Sequence, residues 1–428
     1  MATSDAEPPR GGRLRRLGPD TRPLAIPDYR RLFLGQIVTV VGSQLTAVAV
    51  QQQVFTITGS SAWVGYASMV ALVPLVGFGL LGGAIADTYD RRKLMMITST
   101  GISVTSLGLW LQALFGLNSI AVVFVLLALQ QGFFAANQPA RSAILPRIVP
   151  PRLVPAANAL NSTVFNTGVI AGPLLVGILL PFTGIGWLYF IDALSLTAIL
   201  YAVFRLPPIP PLRTGTHRPK VSEGLRYLRT APLLLMTFVI DIIAMVCGMP
   251  RALFPAMAEE IFGGPPEGGL ALGLLNASMA IGALLGGLTG GWITRVRRQG
   301  VAIVIAVVVW GAAMTATGTT SLLWLAVVYL AIGGFADMVS SVYRNTILQV
   351  EATDEMRGRL QGVFTVVVAG GPRLADLVHG LVADATSIET AVVGGGLLCM
   401  ALALVAGWIG RSMRRYDAMA PDRRGGGE

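Results

Sequence analysis

The 428-residue sequence is short of the residues on which most enzyme chemistry depends. It has two cysteines, Cys247 and Cys399, each inside an apolar run, so neither a disulfide framework nor a metal-ligand spacing can be drawn. Its two histidines, His217 and His379, stand too far apart for an HExxH zinc helix. Lysine also occurs twice, at Lys93 and Lys220, and neither follows a glycine, which excludes a GxxxxGK(S/T) phosphate loop and a P-loop ATPase within this chain. No nucleophile and base stand at motif spacing. The inventory predicts a protein that is not an enzyme and that uses no cofactor and no metal.

Charge is scarce as well. Charged residues make up 13% of the chain and hydrophobic ones 54%, with a mean hydropathy of +0.67. Soluble chains carry roughly 25% charged residues. Too few polar side chains remain here to cover a water-facing surface, so lipid is the solvent that fits. The net charge of +10 does not point to nucleic acid, because the basic residues form short clusters between apolar runs and not one aromatic-rich face.

A spanning helix needs about 20 apolar residues. Twelve runs qualify, near 32–57, 63–86, 94–115, 119–140, 156–181, 186–205, 232–257, 268–294, 300–319, 321–348, 357–383 and 388–410. The first is too long for a signal-peptide core and leads directly into another span, so it reads as a retained helix. The predicted organisation is a cytoplasmic tail (1–31), a six-helix bundle (32–205), a Pro/Arg-rich linker (206–231), a second six-helix bundle (232–411) and a cytoplasmic tail (412–428). The fold class is all-α integral membrane.

The arginines give the orientation. Seven precede the first span, and Arg91, Arg92 and Lys93 follow the second. Arg141, Arg147 and Arg152, the central linker, Arg295, Arg297 and Arg298, Arg357 and Arg359, and Arg411, Arg414 and Arg415 all fall on the same side. The alternate loops hold no Lys or Arg, and the most charged of them carries Glu259, Glu260 and Glu267. This asymmetry places both termini in the cytoplasm of a cell whose inner (plasma) membrane holds the chain. The halves also repeat: Gly83 and Arg91 recur as Gly287 and Arg295 at the same spacing. Paired six-helix repeats are a transporter architecture.

The loop after the second span, Gly83, Asp87, Arg91 and Arg92, resembles the G-x-x-x-D-(R/K)-x-G-(R/K)-(R/K) motif of the major facilitator superfamily, with Thr88 and Asp90 replacing a basic residue and a glycine. Pro139-Ala-Arg141-Ser-Ala-Ile-Leu-Pro146 and Arg251-Ala-Leu-Phe-Pro-Ala-Met-Ala-Glu259 are similar to segments of its siderophore-exporter branch. Gly168, Gly172 and Pro173 resemble the antiporter motif of the fifth helix, although plain GxxxG packing would also use these glycines. The resemblance implies a monomeric transporter with two rocking bundles. Asp87 would pair with Arg91 or Arg141 to gate the cytoplasmic side, at of order 1 kcal/mol per pair.

Polar faces on apolar helices mark where a solute could sit. Gln36, Ser43, Gln44 and Gln51 share an arc of the first span, and Asn158, Asn161, Ser162 and Asn166 share one side of the fifth. Interhelical hydrogen bonding accounts for such amides equally well. Gln44, Gln51, Asn161, Asn166 and Arg251 are the cavity candidates. Ionisable residues within spans are costly and therefore telling. Asp192, Asp241, Asp337 and Arg344 are such residues, and Arg373, Asp376 and His379 stand three apart, close enough for a string on one helix. Asp241, Asp337, Arg373, Asp376 and His379 are the proton-coupling candidates, with fixed ion pairing as the alternative. The expected function is proton-antiport export of a small organic molecule, a siderophore-like metabolite or a drug, by alternating access. The expected partners are solute, protons and the lipid bilayer. An importer on the same fold and a non-transporting receptor or scaffold are the alternatives.

Overall fold

The computed structural model describes residues 20–210 and 221–418; within that range the side chains of 80–88, 221–225 and several positions between 354 and 365 lie outside the description. Among the described residues all regular structure is helical, and twelve helices are long and apolar enough to cross a membrane. In chain order these are α1 (Pro27–Thr58), α2 (Ser61–Thr88), α3 (Arg91–Leu114), α4 (Ile120–Ile148), α5 (Val154–Thr183) and α6 (Ile185–Phe204). A short linker helix, Val221–Thr230, leads into α7 (Pro232–Ile261), followed by α8 (Leu270–Thr289), α9 (Gln299–Gly318), α10 (Leu323–Glu351), α11 (Asp354–Ala385) and α12 (Ile388–Ile409).

Local chemistry sets several of these boundaries. Pro27 starts α1 at a position where its missing N–H is not needed. Gly59 ends α1 with φ of 62° and returns its N–H to Phe55 O at 2.7 Å. Asp90 caps α3 by accepting from Lys93 N at 3.1 Å, and Ser387 caps α12 by accepting from Thr390 N at 3.1 Å. Helices outrun their apolar cores at the arginine-rich end. α1 begins five residues before the run at Leu32, and α4 continues to Ile148 through Arg141 and Arg147. Long basic side chains allow this because they reach back to the interface from within a helix.

Twelve crossings place both ends of the described chain at one end of the molecule, called here the basic end. The opposite, acidic end carries Glu259, Glu260, Asp384 and Glu389. The burial pattern is that of a lipid-solvated protein. Val73, Leu288 and Trp408 are 73–75% exposed, whereas Asp192, Asp241, Arg344 and His379 are buried. Packing repeats between halves. α1 packs on α5 and α6, α3 on α4 and α6, and α2 on α4; six helices on, α7 packs on α11 and α12, α9 on α10 and α12, and α8 on α10. The halves meet chiefly through α2 against α11 and α5 against α8, which the same repeat relates.

Polar side chains tie the first half together. Asp192 on α6 accepts from Thr46 of α1 at 2.7 Å and Ser106 of α3 at 2.8 Å, and Gln130 of α4 donates to Ser106 at 2.9 Å. Nearer the acidic end, Gln53 and Gln112 exchange hydrogen bonds, and Tyr189 donates to Gln53 at 2.7 Å. Such bonds between membrane helices contribute about 0.6–2 kcal/mol each. Asp192→Leu should therefore lower the thermal midpoint of the purified protein by stranding two hydroxyls, at about 1–3 kcal/mol. Asp192→Asn keeps an acceptor and should change the midpoint far less. Thermal-shift fluorescence in detergent measures both.

Candidate transport site

The second half is organised around an interruption in α7. Its first segment ends at Gly248, Pro250 follows, and a 3-10 turn resumes at Arg251–Leu253 before the span finishes in a π-helical turn at Met257–Ile261. Pro250 offers no N–H, so the break leaves carbonyls before it and amides after it without helical partners. Two side chains of α11 supply them. Asp376 accepts from Ala252 N at 3.0 Å, and His379 approaches Cys247 O through Nε2 at 3.1 Å. An acid thus faces the start of one segment and an imidazole the end of the other, which is the favourable arrangement at helix termini. Nδ1 of His379 faces Ala375 O at 2.9 Å, and only the doubly protonated ring donates to both carbonyls.

Arg251 emerges at the break. It is exposed although it lies deep within the span, and it is within electrostatic reach of Asp376 and Asp337 without a salt bridge to either. A second charged group lies on α7 and α10. Arg344 contacts Asp241 at 2.9 Å and Asp337 at 3.6 Å, and Ser340 accepts from Arg344 at 3.1 Å. Asp241 and Arg344 are 1% and 4% exposed, whereas Asp337 is 40% exposed and so presents the free side of this cluster.

The halves are sealed at the acidic end. A Cβ on Gly65 of α2 would lie 2.7 Å from Asp376 O of α11, and one on Gly273 of α8 would lie 2.6 Å from Pro173 O of α5. Only glycine lets these backbones approach so closely. Hydrogen bonds reinforce the seal. Ser68 of α2 donates to Asp376 at 2.6 Å, Asp384 accepts from Ser60 and from Ser61 N, and Gln52 of α1 donates to Pro266 O at 2.9 Å. Toward the basic end the halves part. Asn158, Ser162, Asn166, Pro173 and Gly177 form one stripe of α5 at i+3 and i+4 spacing. The last two of these lie against α8, and the first three are exposed.

The candidates from sequence are placed as follows. Gly168 and Gly172 let α5 lie against Val40 and Gln44 of α1, and Pro173 stands at the α8 seam. Gln44 and Gln51 are half-buried and Asn166 is exposed, while Asn161 accepts from Tyr29 at 3.3 Å. Arg141 lines a small cavity of about 40 Å³ with Tyr29, Gln36 and Asn161. Arg92 donates to Phe204 O at 2.5 Å and stacks over the Phe204 ring, and the Arg91 amide donates to Ile209 O at 3.2 Å, so this loop braces the end of α6 and the linker. Gly83 and Asp87 fall in the last turns of α2, where side chains lie outside the described residues. Arg373, Asp376 and His379 do not join into a string. Arg373 donates to Ala369 O at 2.7 Å in its own helix, while Asp376 and His379 serve the two segments of α7.

Gln52, Ser68 and Asp384 carry the seal but were not among the candidates. Gln51-Gln52-Gln53 occupies three faces of one helix, so periodicity cannot single out Gln52. Ser68 is a lone hydroxyl, and Asp384 lies just past the expected end of its span.

Twelve spans in two repeated halves, sealed at one end and parted at the other around charged side chains, define a secondary transporter of the major facilitator fold. A family model described as "Transmembrane secretion effector" matches residues 20–423, and the chain belongs to that family. It is 29% identical to the enterobactin exporter EntS of Citrobacter koseri over 385 residues, covering 89% of this chain and 91% of the relative. The enterobactin exporter EntS of Shigella boydii serotype 18 is 29% identical over 401 residues, covering 92% and 94%. Among solved structures, the nucleoside transporter NupG superposes with a TM-score of 0.74 at 14% identity, covering 91% of this chain and 100% of that one.

Removing one partner of the Asp241–Arg344 pair leaves a buried charge alone. Asp241→Leu should cost about 3–5 kcal/mol, and Asp241→Leu with Arg344→Met should recover most of it. Thermal midpoints of the single and double variants in detergent measure the difference.

Proposed function

We propose that this transporter exports a small organic molecule, a siderophore-like metabolite or a hydrophobic drug, from the cytoplasm by proton antiport. The observation that carries the reading is the sealed acidic end opposite a parted basic end, with Arg251, Asp337 and Asp376 at the depth where the two meet. A chamber open on one side only is one half of an alternating-access cycle, and rocking of two repeated bundles supplies the other half. The basic end is cytoplasmic by the distribution of arginine, so both termini are inside and the state is inward-facing. Outward direction is supported by likeness to relatives named enterobactin exporters along about nine-tenths of the chain. The protein acts as a monomer in the inner (plasma) membrane.

In this reading solute enters from the cytoplasm between α5, α8, α10 and the α7 break. Gln44, Gln51, Asn161 and Asn166 offer amides from the first half, and Arg251 offers a cation from the second. Gly83, Asp87, Arg91, Arg92 and Arg141 gate the cytoplasmic side, and the glycines and Pro173 of α5 allow it to flex. Asp241, Asp337, Arg373, Asp376 and His379 form the pool from which the coupling group is drawn. Each proton entering down a 100 mV potential supplies about 2.3 kcal/mol for solute exit.

Deleting the gene should lower iron-chelating metabolites in the medium of iron-limited cells and raise them inside, or raise drug sensitivity. Unchanged metabolites together with unchanged drug tolerance overturn the reading. A second test concerns the seal itself. Ser60→Cys with Asp384→Cys, once oxidised, should stop export, and a reductant should restore it; full flux through the bridged protein excludes alternating access at this mouth.

A further inference from the structure

The buried ionisable groups differ in one respect that bears on coupling, namely which half their partners belong to. Asp192 is bonded only within the first half. Asp241 and Asp337 share Arg344 within the second. His379 meets carbonyls of α7 and α11, also in the second. Rigid rocking of the halves leaves all of these bonds intact, so their protonation is blind to which mouth is open. Asp384 does bond across the seam, but it is exposed at the rim, where water replaces any partner it loses. Asp376 alone combines depth with a bond across the seam. It is 5% exposed, it lies roughly 13 Å below the acidic end at about 1.5 Å per residue, and Ser68 of α2 donates to its Oδ2 at 2.6 Å.

We infer that Asp376 is the residue that carries the coupled proton, and that the Ser68 hydroxyl is the device that ties its protonation to the opening of the acidic mouth. This rests on the export reading for its role in transport, although the linkage itself does not require a solute. The groups facing the carboxylate are Ser68 from α2, the Ala252 amide and Arg251 from α7, and Arg373 and His379 from α11, with Asp337 of α10 acting through Arg251. The Ser68 hydroxyl, the Ala252 amide, Arg251 and Arg373 all favour the ionised carboxylate. Of these only Ser68 belongs to the first half and departs when the mouth opens. The sealed state therefore holds the carboxylate ionised more strongly than the open state does. By reciprocity, a proton on Asp376 favours opening by the same factor. The proton comes from water at the acidic mouth, adds to Oδ2 to give the neutral acid, and leaves when Ser68 returns. In the assigned orientation this moves protons inward as the protein cycles, the direction an exporter needs.

The full chain, reconstituted in lipid nanodiscs without solute, provides the test. Spin labels at Leu117→Cys and Ala385→Cys report the acidic-end separation, in a Cys247→Ala, Cys399→Ala background. Acidification from pH 8.5 to 5.5 should raise the ratio of long to short distances roughly tenfold or more, the span of one hydrogen bond to a charged group. Asp376→Asn, which keeps an acceptor for the Ala252 amide, should make the distribution independent of pH. Ser68→Ala should favour long distances at every pH and flatten the titration. Asp192→Asn, a buried acid bonded within one half, should titrate as the wild type does. A wild-type distribution that ignores pH, or an Asp376→Asn variant that titrates normally, overturns the proposal. Failure of export with these distance shifts intact counts against the export reading alone, and normal titration of Asp376→Asn in a proven exporter counts against the coupling assignment alone.

Discussion

A helix interrupted inside a bilayer exposes amides and carbonyls that lipid cannot satisfy, and the structure of the second half follows from how α7 solves this. Pro250 forces the break, and α11 closes it with Asp376 at the new amino end and His379 at the old carboxyl end. Unpaired, each of these backbone groups would cost several kcal/mol in hydrocarbon. α11 is thus fixed beside α7 by more than apolar contact. The same helix lines the seam with α2, so the chain of contact from the break to the mouth is one side chain long. Arg251 gains its exposed position from the same interruption, because an unbroken helix would have continued past it.

The distribution of charge follows a related rule. Where a group serves only to hold helices together, its partners lie within one bundle, as with Asp192 and its two hydroxyls or Asp241 and Arg344. Where the bundles must separate, the contacts are small and replaceable: glycine against backbone at Gly65 and Gly273, hydroxyl or amide to carboxylate at Ser60, Ser61 and Ser68. No salt bridge among the described residues joins the two halves. A buried ion pair there would be costly to break, at about 3–5 kcal/mol if one partner were stranded. Bonds of about 1–3 kcal/mol are better suited to a joint that opens on every cycle.

The repeat is visible at two levels. In sequence it shows as glycine and arginine recurring at equal spacing after the second and eighth spans, and in structure as five helix pairings in the first half reproduced six helices later. The equivalence extends to the seams, since α2 on α11 and α5 on α8 exchange under the same operation. The charged equipment is not repeated: the break in α7 and its arginines have no counterpart in α1, which runs unbroken from Pro27 to Thr58. The halves thus share a frame and divide the work, amides on one side and charges on the other.

The amino-acid sequence by itself determined the solvent, the number of spans and the superfamily, because each rests on composition or on spacing within one helix. A run of about 20 apolar residues must cross the bilayer whatever surrounds it, and the loop residues Asp87, Arg91 and Arg92 carry their resemblance without any neighbour. Partnership between helices was decided only by the tertiary structure. Arg373, Asp376 and His379 stand three apart and read as a string, yet each turns to a different acceptor or donor on its own helix, on α2 or on α7. Gln52 and Ser68 had no periodic signal to set them apart, and became contacts only when α8 and α11 arrived beside them. Periodicity reports which face of a helix a side chain occupies, whereas a hydrogen bond across a seam depends on two helices hundreds of residues apart in the chain, a relation that spacing along either one does not contain.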